Sequence, residues 1–273
     1  MAAGLLGAVA LCAQLGTGAL AQPCALEQGS SHAVARLIDS ETLLLDDGQD
    51  VRLIGALAPK PDVLDADERD WPPARDALRT LEALVHARMV TLRTEGRQRD
   101  RYGRLLAQVF VDDGGAEVWL QQRMILAGQA RAYTLPGNTA CLTARLAAEE
   151  TARPQGRGLW QRAPYRVRSA DEVDALLKLA GRFAVVEGRV AGVTRAQTTT
   201  YINFGTDWRR DFTASLATAV VTKDTDGAQR VDALSGKRVR VRGWIERRNG
   251  PMIVLGSLDE IEVLDAAGES SQR

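Results

Sequence analysis

Arg238, Arg240 and Arg242 alternate along a segment in which Lys237 to Arg248 carries six cations against the single acid Glu246. On a β-strand this alternation turns all three guanidinium groups to one face. Tyr201-Ile202-Asn203-Phe204 reads as a strand able to carry exposed rings. A basic strand face near aromatic side chains is how small barrels hold single-stranded DNA or RNA, although a solvated strand face would use the same residues. Asp39 and Glu41 show the same two-residue spacing nearer the start of the chain, so on a strand their carboxylates share a face. Lys60 stands between Pro59 and Pro61, which fix its local direction. The segment after it is crowded with Asp62, Asp65, Asp67, Glu68 and Asp70. His32 and His86, with three cysteines, offer no zinc-site spacing.

The elements that must position these groups fall into two parts. The chain has 273 residues, 45% hydrophobic and 26% charged, an ordinary globular composition. Its formal net charge of zero excludes a uniformly basic nucleic-acid binder but leaves room for a local basic groove. Residues 1–21 are apolar and end in Ala19-Leu20-Ala21, the pattern of a signal peptide, which implies a periplasmic or secreted protein. No later apolar run is long enough to cross a membrane. After signal removal Cys24 and Cys141 remain and can pair, closing a loop whose entropy is worth about 4 kcal/mol.

Residues 22–165 form the first expected domain. Strands are expected at 34–38 and 42–45, then a turn at Asp46-Asp47-Gly48-Gln49 and a return strand at 51–54. A helix follows from Pro72 or Pro73, then strands at 90–93 and 105–111, a helix over 118–128 capped by Gly128, and a helix over 140–153. Residues 166–181 are read as a linker helix. Residues 182–265 offer five strand candidates, at 183–193, 199–204, 212–221, 237–245 and 252–263, which suit an OB-like barrel. Residues 266–273 are read as a polar tail. The expected class is therefore β-barrel dominated α+β, with three helices in the first domain and a second, all-β domain. Trp71, Trp119 and Trp160 are expected to pack, and Tyr102 to be a core or hinge ring.

Four ordered segments then resemble the staphylococcal-nuclease (thermonuclease) family: Ile38-Asp39-Ser40-Glu41-Thr42, Val51 to Lys60, Asp100-Arg101-Tyr102-Gly103-Arg104, and Gly156-Arg157-Gly158-Leu159-Trp160. They span roughly residues 31 to 161. Each alone would be weak; their order makes the resemblance specific. The resemblance implies an OB-type barrel with three helices and calcium-dependent cleavage of DNA and RNA phosphodiesters. It implies that Arg52 and Arg104 grip phosphate, as their planar forks suit, and that Glu41 takes the first calcium-ligand position, with Asp39 beside it. It also places Tyr133 near the nucleotide.

Two positions depart from the family pattern. Leu57 stands where the second ligand aspartate is expected, and Lys60 where the catalytic glutamate is expected. Calcium takes six to eight hard oxygens. Leucine supplies none, and an ammonium group repels each unit of the ion's charge by about 3 kcal/mol at 5 Å and an effective dielectric of 20. Lysine is no base at neutral pH unless its pKa is strongly depressed. The expectation is an exported, thermonuclease-family protein that binds nucleic acid or nucleotide phosphate through Arg52, Lys60 and Arg104, with weak or absent hydrolysis and no cofactor; Ca2+ enters only if the site still works. One alternative is an active endonuclease using the acids of loop 61–70. Another is a periplasmic protein-binding scaffold.

Overall fold

A computed structural model describes residues 26, 28–60 and 71–264. The signal peptide, the 61–70 loop and the polar tail expected from sequence lie outside the described residues.

The first barrel is a closed ring of five strands. They are β1 (Ser31–Asp39), β2 (Thr42–Leu45), β3 (Asp50–Leu53), β5 (Met89–Arg93) and β6 (Leu105–Asp113). β1 pairs antiparallel with β2 and β5, β2 with β3, and β5 with β6. The ring closes where β3 runs parallel to β6, Val51 opposite Leu105. Period-two alternation in β3 sends Val51 and Leu53 into the core and leaves Asp50 and Arg52 on the outside. The β2–β3 turn forms at the expected place, with Gly48 at φ 84° and Asp47 Oδ1 accepting from the Gln49 N–H. Helix α1 (Pro72–Val85) starts on its two prolines and buries Ala77, Leu81 and Val85 at helical spacing over the barrel.

A short strand, β4 (Ala56–Leu57), pairs with β8 (Arg131–Ala132) beside the barrel. The expected helix over 118–128 begins later than the sequence suggests. Residues up to Trp119 form β7 (Ala116–Trp119), which extends the sheet beyond β6 and stacks the Trp119 ring on Phe110. Helix α2 is Leu120–Leu126. Gly128 follows it at φ 68°, and its carbonyl accepts from the Leu159 N–H. A side chain on Gly128 or Gly158 would run into the other segment's backbone, so the Gly-x-Gly-Leu-Trp stretch is shaped to dock there. Helix α3 is Leu142–Ala152.

The second barrel repeats the strand order of the first. β10 (Phe183–Arg189) and β11 (Gly192–Arg195) are two halves of one bent strand. β12 (Thr199–Asn203), β13 (Thr213–Ala217), β14 (Arg238–Arg248) and β15 (Gly250–Leu255) complete the ring. The bend at 190–191 changes partners: the Val190 N–H donates to Lys237 and the Ala191 N–H to Asn203. β13 and β15 run parallel, Thr213 opposite Met252, as β3 and β6 do in the first ring. Val186, Ile202, Phe212, Val239 and Ile253 fill the interior.

Three expectations change here. Residues 166–181 are not simply a helix: β9 (Arg168–Ser169) adds to β10 in parallel, and helix α4 covers only Val173–Leu177. The strand expected over 212–221 stops at Ala217. Two short helices follow, α5 (Thr218–Lys223) and α6 (Gly227–Asp232), which bury Val221 and Val231. A short apolar run such as Ala219-Val220-Val221 fits strand or helix equally by pattern. The last candidate, 252–263, divides into β15 and β16 (Glu262–Val263), the latter pairing with β14.

Candidate functional site

Asp39 ends β1, and Glu41 lies in the turn before β2, so the two do not share a strand face as the sequence suggests. Instead Asp39 Oδ1 accepts from the Glu41 N–H at 2.7 Å and shapes the turn. Glu41 is buried. Its Oε1 accepts from the Ala58 N–H at 2.8 Å. Its Oε2 lies 3.4 Å from an Arg52 nitrogen and 3.6 Å from Lys60 Nζ. Lys60 Nζ is also 3.8 Å from Asp39. Burial pushes the Glu41 carboxyl above the ordinary glutamate value, and Lys60 and Arg52 only partly offset it.

Arg52 reaches this turn because it sits on β3 opposite Thr42. Arg104 comes from the loop before β6. Its Nε donates to Asp100 at 2.8 Å, and a second nitrogen donates to Thr42 Oγ1 at 3.3 Å. Burial raises the Asp100 carboxyl, but hydrogen bonds from Arg104 and two backbone N–H groups outweigh it and hold Asp100 below its ordinary value. Tyr102, expected to be a core or hinge ring, is 67% exposed, with the Arg101 and Arg104 guanidinium groups against its ring. The loop tip gives it nothing to pack under.

Glu41, Arg52, Leu57, Lys60 and Trp71 form one wall of a cavity of about 370 Å³. The lining continues with Tyr165, with Leu179 and Arg182 from the segment before β10, and with Phe183 and Trp244 of the second barrel. Leu57 is buried in a cluster with Tyr133, Phe183 and Val185 that joins the two barrels. Tyr133, which the resemblance places near the nucleotide, is 1% exposed and meets the Trp244 ring edge-on; the second barrel covers it. Arg131, opposite Leu57 on β8, packs its guanidinium over the Phe183 and Tyr165 rings and donates to the Phe183 carbonyl. Burial there lowers its pKa to about 10. Sequence reasoning missed Arg131, Arg182, Phe183 and Trp244, because nothing in the chain announces that a distant strand roofs the pocket. Trp244 carried one usable signal, its place in the same alternation as Arg238, Arg240 and Arg242.

That arginine face exists, but Arg240 and Arg242 point at the first barrel and not at solvent. Arg242 donates to Glu149 on α3 at 2.5 Å, to Glu262, and to the Ala132 carbonyl. Arg240 donates to Glu187 at 2.7 Å, to Glu150 at 2.8 Å and to Glu262 at 3.2 Å. Both are buried. Arg238 is exposed and pairs with Glu187. The carboxylates around Arg240 and Arg242 leave no phosphate-binding face there, so the face expected to bind nucleic acid is an ion-paired interface between barrels.

Cys141 is disulfide-bonded. Its partner lies outside the described residues, where Cys24 stands. Leu26 packs beside Cys141, against Phe110 and Trp119. Among the described residues one group of three metal-capable side chains occurs, His32 of β1 with Asp46 and Asp47 of the β2–β3 turn, at the other end of β2 from Glu41. No described helix is long and apolar enough to cross a membrane.

Residues 50–162 match the family model described as staphylococcal nuclease homologue. An uncharacterized endonuclease of Escherichia coli O157:H7 is 32% identical over 133 residues, 48% of this chain and 76% of the relative. A thermonuclease of Staphylococcus intermedius is 30% identical over 138 residues, 50% of this chain and 79% of the relative. With the five-stranded ring, the docked Gly-x-Gly-Leu-Trp stretch and the Glu41–Arg52–Arg104 turn on the page, these matches lead to one conclusion: the chain belongs to the staphylococcal nuclease family.

Proposed function

We propose that this is an exported nuclease-family protein that grips nucleic acid or nucleotide phosphate in the pocket between its barrels and hydrolyses phosphodiesters weakly or not at all. One observation carries this reading: Lys60 Nζ lies within 3.8 Å of both carboxylates left at the turn. The family implies Ca2+ there, and the described donors do not fit it. Ca2+ takes six to eight oxygens, whereas Leu57 offers none and is committed to the cluster joining the barrels. The ammonium of Lys60 supplies positive charge where the ion would sit. Among the described lining residues, Arg52, Lys60, Arg131 and Arg182 face the single carboxylate Glu41, which favours a bound anion without metal. The apolar start of the chain and the disulfide at Cys141 support export to an oxidising compartment.

The test is a nuclease assay on the full mature chain with and without Ca2+, alongside binding of a short oligonucleotide over a salt series. The expected outcome is salt-dependent binding, weakened by Arg52→Ala, with no calcium-stimulated cleavage. Strong calcium-stimulated cleavage abolished by Arg104→Ala would overturn the reading in favour of an active endonuclease using acids of residues 61–70, which lie outside the described residues. No binding at any salt would leave the protein-binding scaffold.

A further inference from the structure

The second barrel carries a cavity of about 440 Å³ lined by its own residues alone. Alternation along β12 sends Thr200 and Ile202 inward, where both are fully buried, and turns Tyr201 and Asn203 outward. Thr213 and Ser215 of β13 continue the same floor. One wall is the tip of the β14–β15 hairpin, with Arg248 and Asn249. The other is the loop after β12, which holds Trp208 out at 52% exposure with the Arg209 guanidinium 4.6 Å over its ring.

The chemistry of this surface is specific in kind. Tyr201 and Trp208 offer flat rings, while Asn203 and Thr213 offer amide and hydroxyl groups already joined in a hydrogen-bonded row with Thr194. Arg248 lines the cavity, and Arg209 stands against the ring of Trp208 at its rim. No carboxylate lines the cavity among the described residues. Two nearby acids are engaged in their own loop, Asp211 accepting from the Asp207 N–H and Asp207 from the Arg209 N–H, and Glu246 pairs with Arg248 at 3.1 Å, leaving the other guanidinium nitrogens of Arg248 for a phosphate. Rings with cations and no acids match a chain of bases on phosphates. A neutral oligosaccharide would offer neither arginine an anionic partner at this face. The floor and rim also coincide with the strand face and loops through which OB-type barrels bind polymers.

We propose that this face of the second barrel binds a short stretch of single-stranded nucleic acid, with bases against Tyr201 and Trp208 and phosphates at Arg209 and Arg248. The site is separate from the pocket between the barrels and does not depend on how that pocket works. It takes the place of the arginine face at Arg240 and Arg242, which the fold uses internally.

The experiment uses the full chain in chelator, with a fluorescein-labelled oligothymidylate of about ten nucleotides, within the length one such barrel covers. Anisotropy gives the affinity over a salt series. A photoreactive version of the same oligonucleotide maps the contacts by mass spectrometry. Trp208→Ala is expected to weaken binding about tenfold, Arg248→Ala to lower the salt slope by about one, and crosslinks to fall on Tyr201 or Trp208. Circular dichroism checks that the variants fold. The proposal is overturned by unchanged affinity in folded Trp208→Ala and Tyr201→Ala, by crosslinks confined to Trp71 and Trp244, or by salt-independent binding of a neutral oligosaccharide at this face in place of DNA.

Discussion

The two barrels share one strand order and dispose of their charges in opposite ways. In the first, Asp39, Glu41, Arg52, Lys60 and Arg104 gather at a turn on the rim, where Glu41, Arg52 and Lys60 line a cavity. In the second, Arg240 and Arg242 lie on a strand face and are consumed by Glu149, Glu150, Glu187 and Glu262 at the junction. Topology alone therefore does not say where a barrel binds. What decides is which face the neighbouring barrel covers. The second barrel spends its basic face on docking and leaves its β12–β13 face open, while the first has its rim pocket walled by Phe183 and Trp244 of the second.

The comparison breaks first if the ion cluster does not join the barrels. Arg242→Ala removes the nearest cation from the fully buried Glu149, leaving it Arg153 at 3.8 Å and the Ala132 N–H, and should cost about 3 kcal/mol in urea unfolding. A loss below about 1 kcal/mol would mean that apolar packing alone holds the junction. Next, Leu57→Asp places a carboxylate among Tyr133, Phe183 and Val185. The expected loss is about 2–3 kcal/mol, with no calcium-stimulated cleavage gained while Lys60 stays; a stable variant that cleaves would show the pocket to be adaptable. A smaller effect concerns Glu41, whose pKa is raised in the folded chain. The folded state then holds the proton more tightly than the unfolded one, so stability falls as pH rises from the ordinary glutamate value through the raised one. Glu41→Gln should match or exceed the parent at pH 7 and lose that margin as pH falls toward 4; melting curves across this range decide it, and a margin that widens at low pH would reverse the assignment. The smallest effect sharpens the picture: Arg238→Ala, at an exposed pair with Glu187, should change stability by no more than about 0.5 kcal/mol and leave oligonucleotide affinity unchanged.

Much of the first barrel was legible because its signals are local. The Asp46–Gln49 turn, the two prolines opening α1 and Gly128 after α2 each follow from a residue's own backbone preference. The positions of Glu41, Arg52, Lys60 and Arg104 followed from ordered resemblance. What stayed hidden depends on long-range burial. Tyr133 looks like a stacking ring until β14 lays Trp244 against it. Arg240 and Arg242 alternate just as a binding face would, and the acids that neutralise them come from α3, β10 and β16, far away in the chain. Trp208 and Arg248 were invisible as partners because a loop and a hairpin tip bring them together.

Both rings close by parallel contact between their third and fifth strands, Val51 with Leu105 and Thr213 with Met252. Such closures join parts of the chain far apart in sequence and carry a loop-closure cost. Until each closes, two edges of equivalent shape are open in one polypeptide, and a strand from one ring can be captured by the other, the typical misassembly of tandem domains. Emergence of the first ring before β13 and β15 are synthesised removes that competitor, so this architecture favours folding in the order of translation over refolding of the intact chain.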